Sequence, residues 1–233
     1  MHTEEITDLL SDLAAGAITW QQALTQVTAL PTAWQTPEWK RRRDALIGSS
    51  CAVCETTDGP FVLQHLLPTP TFKEVCQAVK AELRADLLVL LDDQVSEHAV
   101  AEHVGPGDER PACPTCGSVS IRERQSLTPR YLCSRGERGY HSPAGFDAPV
   151  PVRYYAKQKT TNREVALATA REFLLSVAVV AELRRRDDRI QHEATLRSLK
   201  YSLAYRSLQH TATYCKKCAF KADLPLIKRK QYA

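Results

Sequence analysis

Apolar residues near the start of the chain recur at helical spacing. Leu9, Leu10 and Leu13 lie on one side of a segment that Thr3 opens and Gly16 ends. Thr19 starts a second helix that Pro31 stops. The linker PTAWQT leads into a third, PEWKRRRDALI, with Pro37 in the first turn, where a missing N–H is tolerated. After a turn at Gly59, FVLQH (Phe61–His65) is a short strand candidate. Thr71 and Glu74 form a capping box for TFKEVCQAVKAELRADLLVLL. Phe72, Val75, Cys76, Val79, Leu83, Leu87 and Leu90 follow the helical period there, which makes Cys76 a core thiol rather than a ligand. His98 and His103 share no helix face and receive no ligand role. GPGDERP, from Gly105 to Pro111, reads as an exposed boundary. Between residues 112 and 155 the pattern changes to short β-like runs (VSIRER, RYLCS, VPVRYY) punctuated by Gly and Pro. From Asn162 it is helical again, through NREVALATAREFLLSVAVVAELRRR and IQHEATLRSLKYSLAYRSLQ, to a basic tail, IKRKQYA. The expectation is a mainly α protein with small β modules. Its parts are an N-terminal helical segment (1–36), a helical body (37–104 and 156–233) and an inserted module (105–155).

Composition adds class limits. The chain has 233 residues, 43% of them hydrophobic, enough for a core. The net charge of +4 permits an acidic partner without demanding one. The acidic opening MHTEEITDLLSDL lacks the order of a signal peptide, and FLLSVAVVA is too short to cross a bilayer. A soluble, cytoplasmic protein with no membrane partner is expected. The eight cysteines change the picture most. Six of them form three C-x-x-C pairs, which in an intracellular chain point to metal, with zinc as the default.

In the middle segment, Cys113 and Cys116 are followed, after sixteen intervening residues, by Cys133 and, after seven more, by His141. A C-x-x-C turn supplies two ligands of a tetrahedral zinc ion, and Gly117 lets amides bend toward the thiolates. CPTCGS resembles the first knuckle of a zinc ribbon. YLCSRGERGYH replaces the usual second C-x-x-C, with His141 as the fourth ligand. The remaining pairs, Cys51/Cys54 and Cys215/Cys218, make a second set of four. The alternatives are two separate ions, with His65 near the first pair and His210 near the second, or metal shared between chains. Closure entropy grows only logarithmically with loop length, so one shared site is tolerable, and two zinc ions per chain are expected.

The residues around the outer pairs resemble the HNH and treble-clef zinc-finger superfamily. EWKRRRDALIGSSCAVC matches its lead-in helix and first knuckle, FVLQHLLP its histidine-bearing strand, and HTATYCKKCAFKAD its second knuckle and last helix. The resemblance implies a treble-clef-like four-cysteine site with a large insertion. It makes His65 the general-base candidate and puts Gln64 at a metal-ligand position and His210 at the central position. Ala219 stands where a histidine follows the last cysteine, and Asp223 lies one helical turn further on. Gln64 is a neutral, poor ligand and alanine offers none, so Asp223 would hold magnesium or manganese only loosely.

Basic residues cluster near this site: Lys40, Arg41, Arg42 and Arg43 before the first knuckle, Lys216, Lys217 and Lys221 in and after the second, and Lys228 to Lys230 in the tail. They suit phosphate contacts. In the ribbon, Arg122, Arg124, Arg130, Arg135 and Arg138 offer a second basic surface, with Tyr131 and Tyr140 for stacking. Arg184 to Arg186, followed by two aspartates, read as the solvated end of a helix. Three functions are carried forward. The first is a zinc-stabilised nucleic-acid-binding or adaptor protein with a degenerate HNH-like site. The second is a divergent metal-dependent HNH-type endonuclease using His65, His210 and Asp223. The third is a structural zinc protein with a protein partner, which would expose an apolar patch.

Overall fold

The computed structural model describes residues 3–67 and 69–231, with side chains described as far as residue 224. The chain begins with α1 (Thr3–Ala14), α2 (Trp20–Ala29), a 3-10 turn (Ala33–Gln35), α3 (Pro37–Leu46), β1 (Phe61–His65) and α4 (Phe72–Asp92). It continues with α5 (Glu97–Val104), β2 (Asp108–Ala112), β3 (Ile121–Glu123), β4 (Tyr131–Cys133), α6 (Ser134–Glu137), β5 (Gly145–Phe146) and β6 (Val150–Tyr154). It ends with α7 (Arg163–Arg185), α8 (Asp187–Ser207), β7 (Thr211–Cys215) and α9 (Lys216–Gln231). Two compact units result. One comprises residues 1–82 and 186–233, the other residues 83–185, so the division falls inside α4 and between α7 and α8.

The first unit is built on α8. Ile6, Leu9 and Leu13 of α1 and Ala23 of α2 bury themselves with Leu199 of α8, Ile6 and Leu13 completely. Each fully buried aliphatic side chain contributes roughly 2 kcal/mol, so this cluster is what fixes the first two helices. Thr19 and Gln22 close a capping box on α2, and the Thr36 hydroxyl caps α3 ahead of Pro37. Arg197 of α8 makes a two-pronged bond to Glu82 at 2.7 and 2.8 Å and a third to Glu193 at 2.7 Å. The guanidinium beside it holds the Glu82 carboxyl below its usual range. Ala33, Trp39 and Leu208 form a second cluster with Leu63 and Tyr205, seating α3 and β1 at the C-terminal end of α8. Cys76 is half-buried, its thiol near the Gln191 side-chain oxygen at 3.6 Å, and it belongs to neither cysteine group.

β1 and β7 pair antiparallel, from Phe61 opposite Cys215 to His65 opposite Thr211. This register brings the two ends of the unit together. The N–H of Ala52 donates to the Thr213 carbonyl at 2.8 Å, and that of Gly48 donates to the Thr213 hydroxyl at 2.7 Å.

In the second unit, Val100 and Val104 of α5 pack with Ala166 and Ala170 of α7 and with Tyr155. Arg171 donates to the carbonyls of Asp92 (2.8 Å) and Val95 (3.2 Å), satisfying acceptors at the end of α4. β2 pairs with β6, and β3, β4 and β5 form a three-stranded antiparallel sheet. Three expectations change here. GPGDERP is not a bare boundary, because Asp108 to Ala112 form a ladder with Val150 to Tyr154. VPVRYY was expected as a β-like run, but its partner Asp108–Ala112 is mostly exposed and no apolar alternation marked it. His98 and His103 lie on a helix that was not anticipated, capped by Ser96 and ended by Gly105 at φ 72°; His103 stacks on Phe173 at 5.2 Å. The buried stripe of α4 ends at Leu87, 1% exposed, whereas Leu90 is 59% exposed. The tail continues α9 to Gln231, and the side chains of Lys228 to Lys230 lie outside the described residues. Among the described residues no helix is long and apolar enough to cross a membrane.

Candidate metal centres and the surface around His65

Cys51 and Cys54 occupy a tight turn before β1, Cys215 ends β7, and Cys218 lies in the first turn of α9. Their sulfurs lie within 4.8 Å of one another, with Cys54 and Cys215 at 3.8 Å, and every cysteine is free of a disulfide. Tetrahedral zinc–thiolate bonds place sulfurs about 3.8 Å apart, so the four donors fit one ion. The second group is Cys113, Cys116, Cys133 and His141. The separations are 3.7 Å for Cys116–Cys133, 3.7 Å for Cys113 to His141 Nε2, and 3.3 Å for Cys133 to the same nitrogen. Thiolate and imidazole donors in closed sets of four suit a structural ion and are consistent with zinc.

The two N-terminal knuckles share one backbone design. The N–H of Cys51 donates to the Thr56 carbonyl and that of Glu55 to the Cys51 carbonyl, both at 2.9 Å. In the second group, Cys113 donates to Ser118 and Gly117 to Cys113, at 3.0 and 2.8 Å. The residue after the second cysteine is left-handed in both: Glu55 at φ 58° and Gly117 at φ 65°. Backbone amides, that of Cys215 first, pull the Cys51 thiol down to about 6, while burial pushes the Cys218 thiol up to about 12. Burial opposes ionisation of Cys113 too, but the amides of Cys116 and Thr115 outweigh it; Cys116 is raised by burial. Thiolates packed this closely repel one another, so full ionisation of either set requires a cation among them.

The residues singled out by the family resemblance divide between the two faces of the β1–β7 pair. Successive strand side chains point to opposite faces. Gln64 donates its amide to the Asp223 carboxylate on α9 at 2.7 Å, whereas the half-buried His65 stacks on Tyr205 of α8, ring centroids 3.9 Å apart. Burial lowers the His65 pKa, and its Nε2 is buried with no hydrogen-bond partner. The His210 carbonyl accepts from the Leu66 N–H at 2.9 Å, and its side chain lines the same cavity of about 180 Å³ as His65. Asp223 is not among the residues lining it. Among the described residues, the two cysteine groups are the places where three or more ligand-type side chains gather, so His65, His210 and Asp223 do not form a third.

Of the basic residues, Lys40, Arg41, Lys216, Lys217 and Lys221 are exposed. Arg42 donates to the Ser207 carbonyl at 3.2 Å. Arg43 pairs with Asp44 and lies 5.7 Å over the Trp39 ring. Residues 122–138 offer less free charge than their arginine count suggests. Arg122 pairs with Glu137 and Arg130 with Glu123, Arg124 donates to the Pro129 carbonyl, and Tyr131 stacks on Phe146. The stack of Tyr205 on His65 was not read from the sequence, although Tyr201 and Tyr205 lie four apart on α8. Gly136, which His141 packs against, was missed too. No family model, curated protein or solved structure matches the chain.

Proposed function

We propose that this chain is a zinc-stabilised nucleic-acid-binding protein. In this reading the four outer cysteines hold a treble-clef-like module, and the second group holds an inserted zinc-ribbon-like module. The observation that carries it is the placement of exposed lysines and arginines on α3 and α9, the two helices packed against the β1–β7 pair. Knuckle, hairpin and a helix that supplies the last cysteine follow one another in space although 161 positions separate Cys54 from Cys215. Basic side chains on such a module bind phosphates without reading sequence, and their affinity falls steeply with salt.

A nuclease is the second reading, favoured by the contact between Gln64 and Asp223, the positions at which the HNH resemblance puts catalytic metal ligands. The donor set fits such an ion poorly. One carboxylate is present, its oxygen already takes the Gln64 amide, and magnesium or manganese would need several further oxygens from water and phosphate. Binding without cleavage is therefore the reading we adopt.

The test is elemental analysis of the purified protein together with binding and cleavage of labelled nucleic acid at graded salt. Two zinc ions per chain, salt-sensitive binding weakened by Lys216→Ala with Lys217→Ala, and no cleavage with magnesium or manganese are expected. Cleavage abolished by His65→Ala would establish the nuclease instead. Zinc without binding at low salt would favour a protein partner.

A further inference from the structure

Three neighbouring concavities surround the C-terminal half of α8, all within the first unit. The first, about 180 Å³, lies between the His65 ring, Tyr201, Tyr205 and His210. The second, about 400 Å³, shares Tyr205 and Thr69 with it and continues to Trp34, Thr32 and Arg206. The third, about 510 Å³, shares Ala204 with the first and holds Arg42, Lys200 and Gln209. A cavity of about 150 Å³ takes one benzene ring, so the first has room for a single planar ring.

The first two concavities carry features that a packed core would not keep. Trp34 is 55% exposed and Tyr201 45%, two large aromatic faces in water at the edges of clefts. His65 Nε2 and Arg206 Nη1 are buried without a hydrogen-bond partner. Arg206 is 8% exposed, its Nη2 donates to the Pro31 carbonyl at 3.2 Å, and Glu5 supplies a nearby negative charge. The His65 and Arg206 nitrogens are enclosed, so the groups open to a ligand are the aromatic faces of Trp34 and Tyr201. Exposed aromatic faces in two concavities, with cations in the neighbouring third, match a chain that carries flat rings on a phosphate backbone. A duplex keeps its rings stacked inside and cannot offer them.

We propose that this track on α8 binds a single strand of nucleic acid. Bases stack on Trp34 and Tyr201, and phosphates lie toward Arg42 and Lys200. The inference rests on the nucleic-acid reading above and narrows it to one strand, with the bases read by stacking rather than by groove contacts.

The experiment uses the full zinc-loaded chain and a labelled oligothymidylate strand, as DNA and as RNA, beside a duplex of the same length. The single strand should bind more tightly than the duplex. Trp34→Ala and Tyr201→Ala, both at exposed positions, should each weaken single-strand binding about 5- to 150-fold while zinc content and duplex binding stay unchanged. Quenching of tryptophan fluorescence by the strand, lost in Trp34→Ala, would place the base on that ring. Equal affinity for duplex and strand, or variants that bind the strand as the wild type does, would overturn the single-strand track and leave the basic surface standing. Failure of the wild type to bind any nucleic acid at low salt would remove the underlying reading and the track with it.

Discussion

Gly136 sits one turn after Cys133, and a Cβ there would lie 2.6 Å from Ala144 Cα and 3.0 Å from His141 Cε1. The backbone of Ala144 cannot give way cheaply, so Gly136→Ala should displace His141 and reduce the second group to three cysteines. Elemental analysis is expected to show one zinc ion retained, at the outer group, with the second lost or weakly held; two tightly held ions would mean that His141 is dispensable. His65 offers a separate test at the same scale. Burial depresses its pKa below the ordinary 6.5, so the unfolded chain binds the proton more readily. The neutral ring's contribution to stability is then present above about pH 6.5 and lost as pH falls toward the folded value. The denaturation free energy of wild type should fall faster below pH 6.5 than that of His65→Phe, which keeps a ring against Tyr205. Parallel curves would show that His65 titrates as if in water. The cysteine pairs made both groups of candidate ligands legible from sequence. The glycine that seats His141 was not legible, because its reason is a contact with Ala144 eight residues on.

At the scale of elements, α1 is held mainly by its own buried face. Leu13 is fully buried against Leu199 of α8, and His192 of α8 reaches the Leu13 carbonyl at 3.1 Å. Leu13→Ala should cost about 2–5 kcal/mol in urea denaturation, the range for a cavity that the surroundings only partly fill. A cost under 1 kcal/mol would show that α1 is loosely docked. The helices with strong periodicity and caps were legible in the sequence: α1, α2, α3, α4, and the long pair α7 and α8. β1 was legible as well, from the short run FVLQH that follows the turn at Gly59. β2 was not, since Asp108, Glu109 and Arg110 are exposed and their ladder to β6 is carried by backbone bonds rather than by a buried face. α5 was not legible, being only eight residues long, although Ser96 caps it and Gly105 ends it.

At the scale of the whole molecule, the two metal groups close loops of very different length. Cys54 and Cys215 are 161 positions apart; Cys116 and Cys133 are 17 apart, and Cys113 and His141 are 28. If a metal crosslink acts on the unfolded chain as a disulfide does, the outer closure contributes about 5 kcal/mol and the inner about 3 kcal/mol. The outer group also holds the β1–β7 pair at the junction of the first unit's two chain segments, whereas the inner one holds a local three-stranded sheet. Cys215→Ala should therefore lower the melting temperature further than Cys133→Ala, and each should reduce the metal content from two ions to one. Hydrogen exchange should locate the difference. Cys215→Ala should release protection along β1, β7 and the start of α9, while Cys133→Ala should release it only between Cys113 and Phe146. An unchanged zinc count in Cys215→Ala would break the pairing of the distant knuckles and, with it, the placement of α3 and α9 on which the nucleic-acid reading depends.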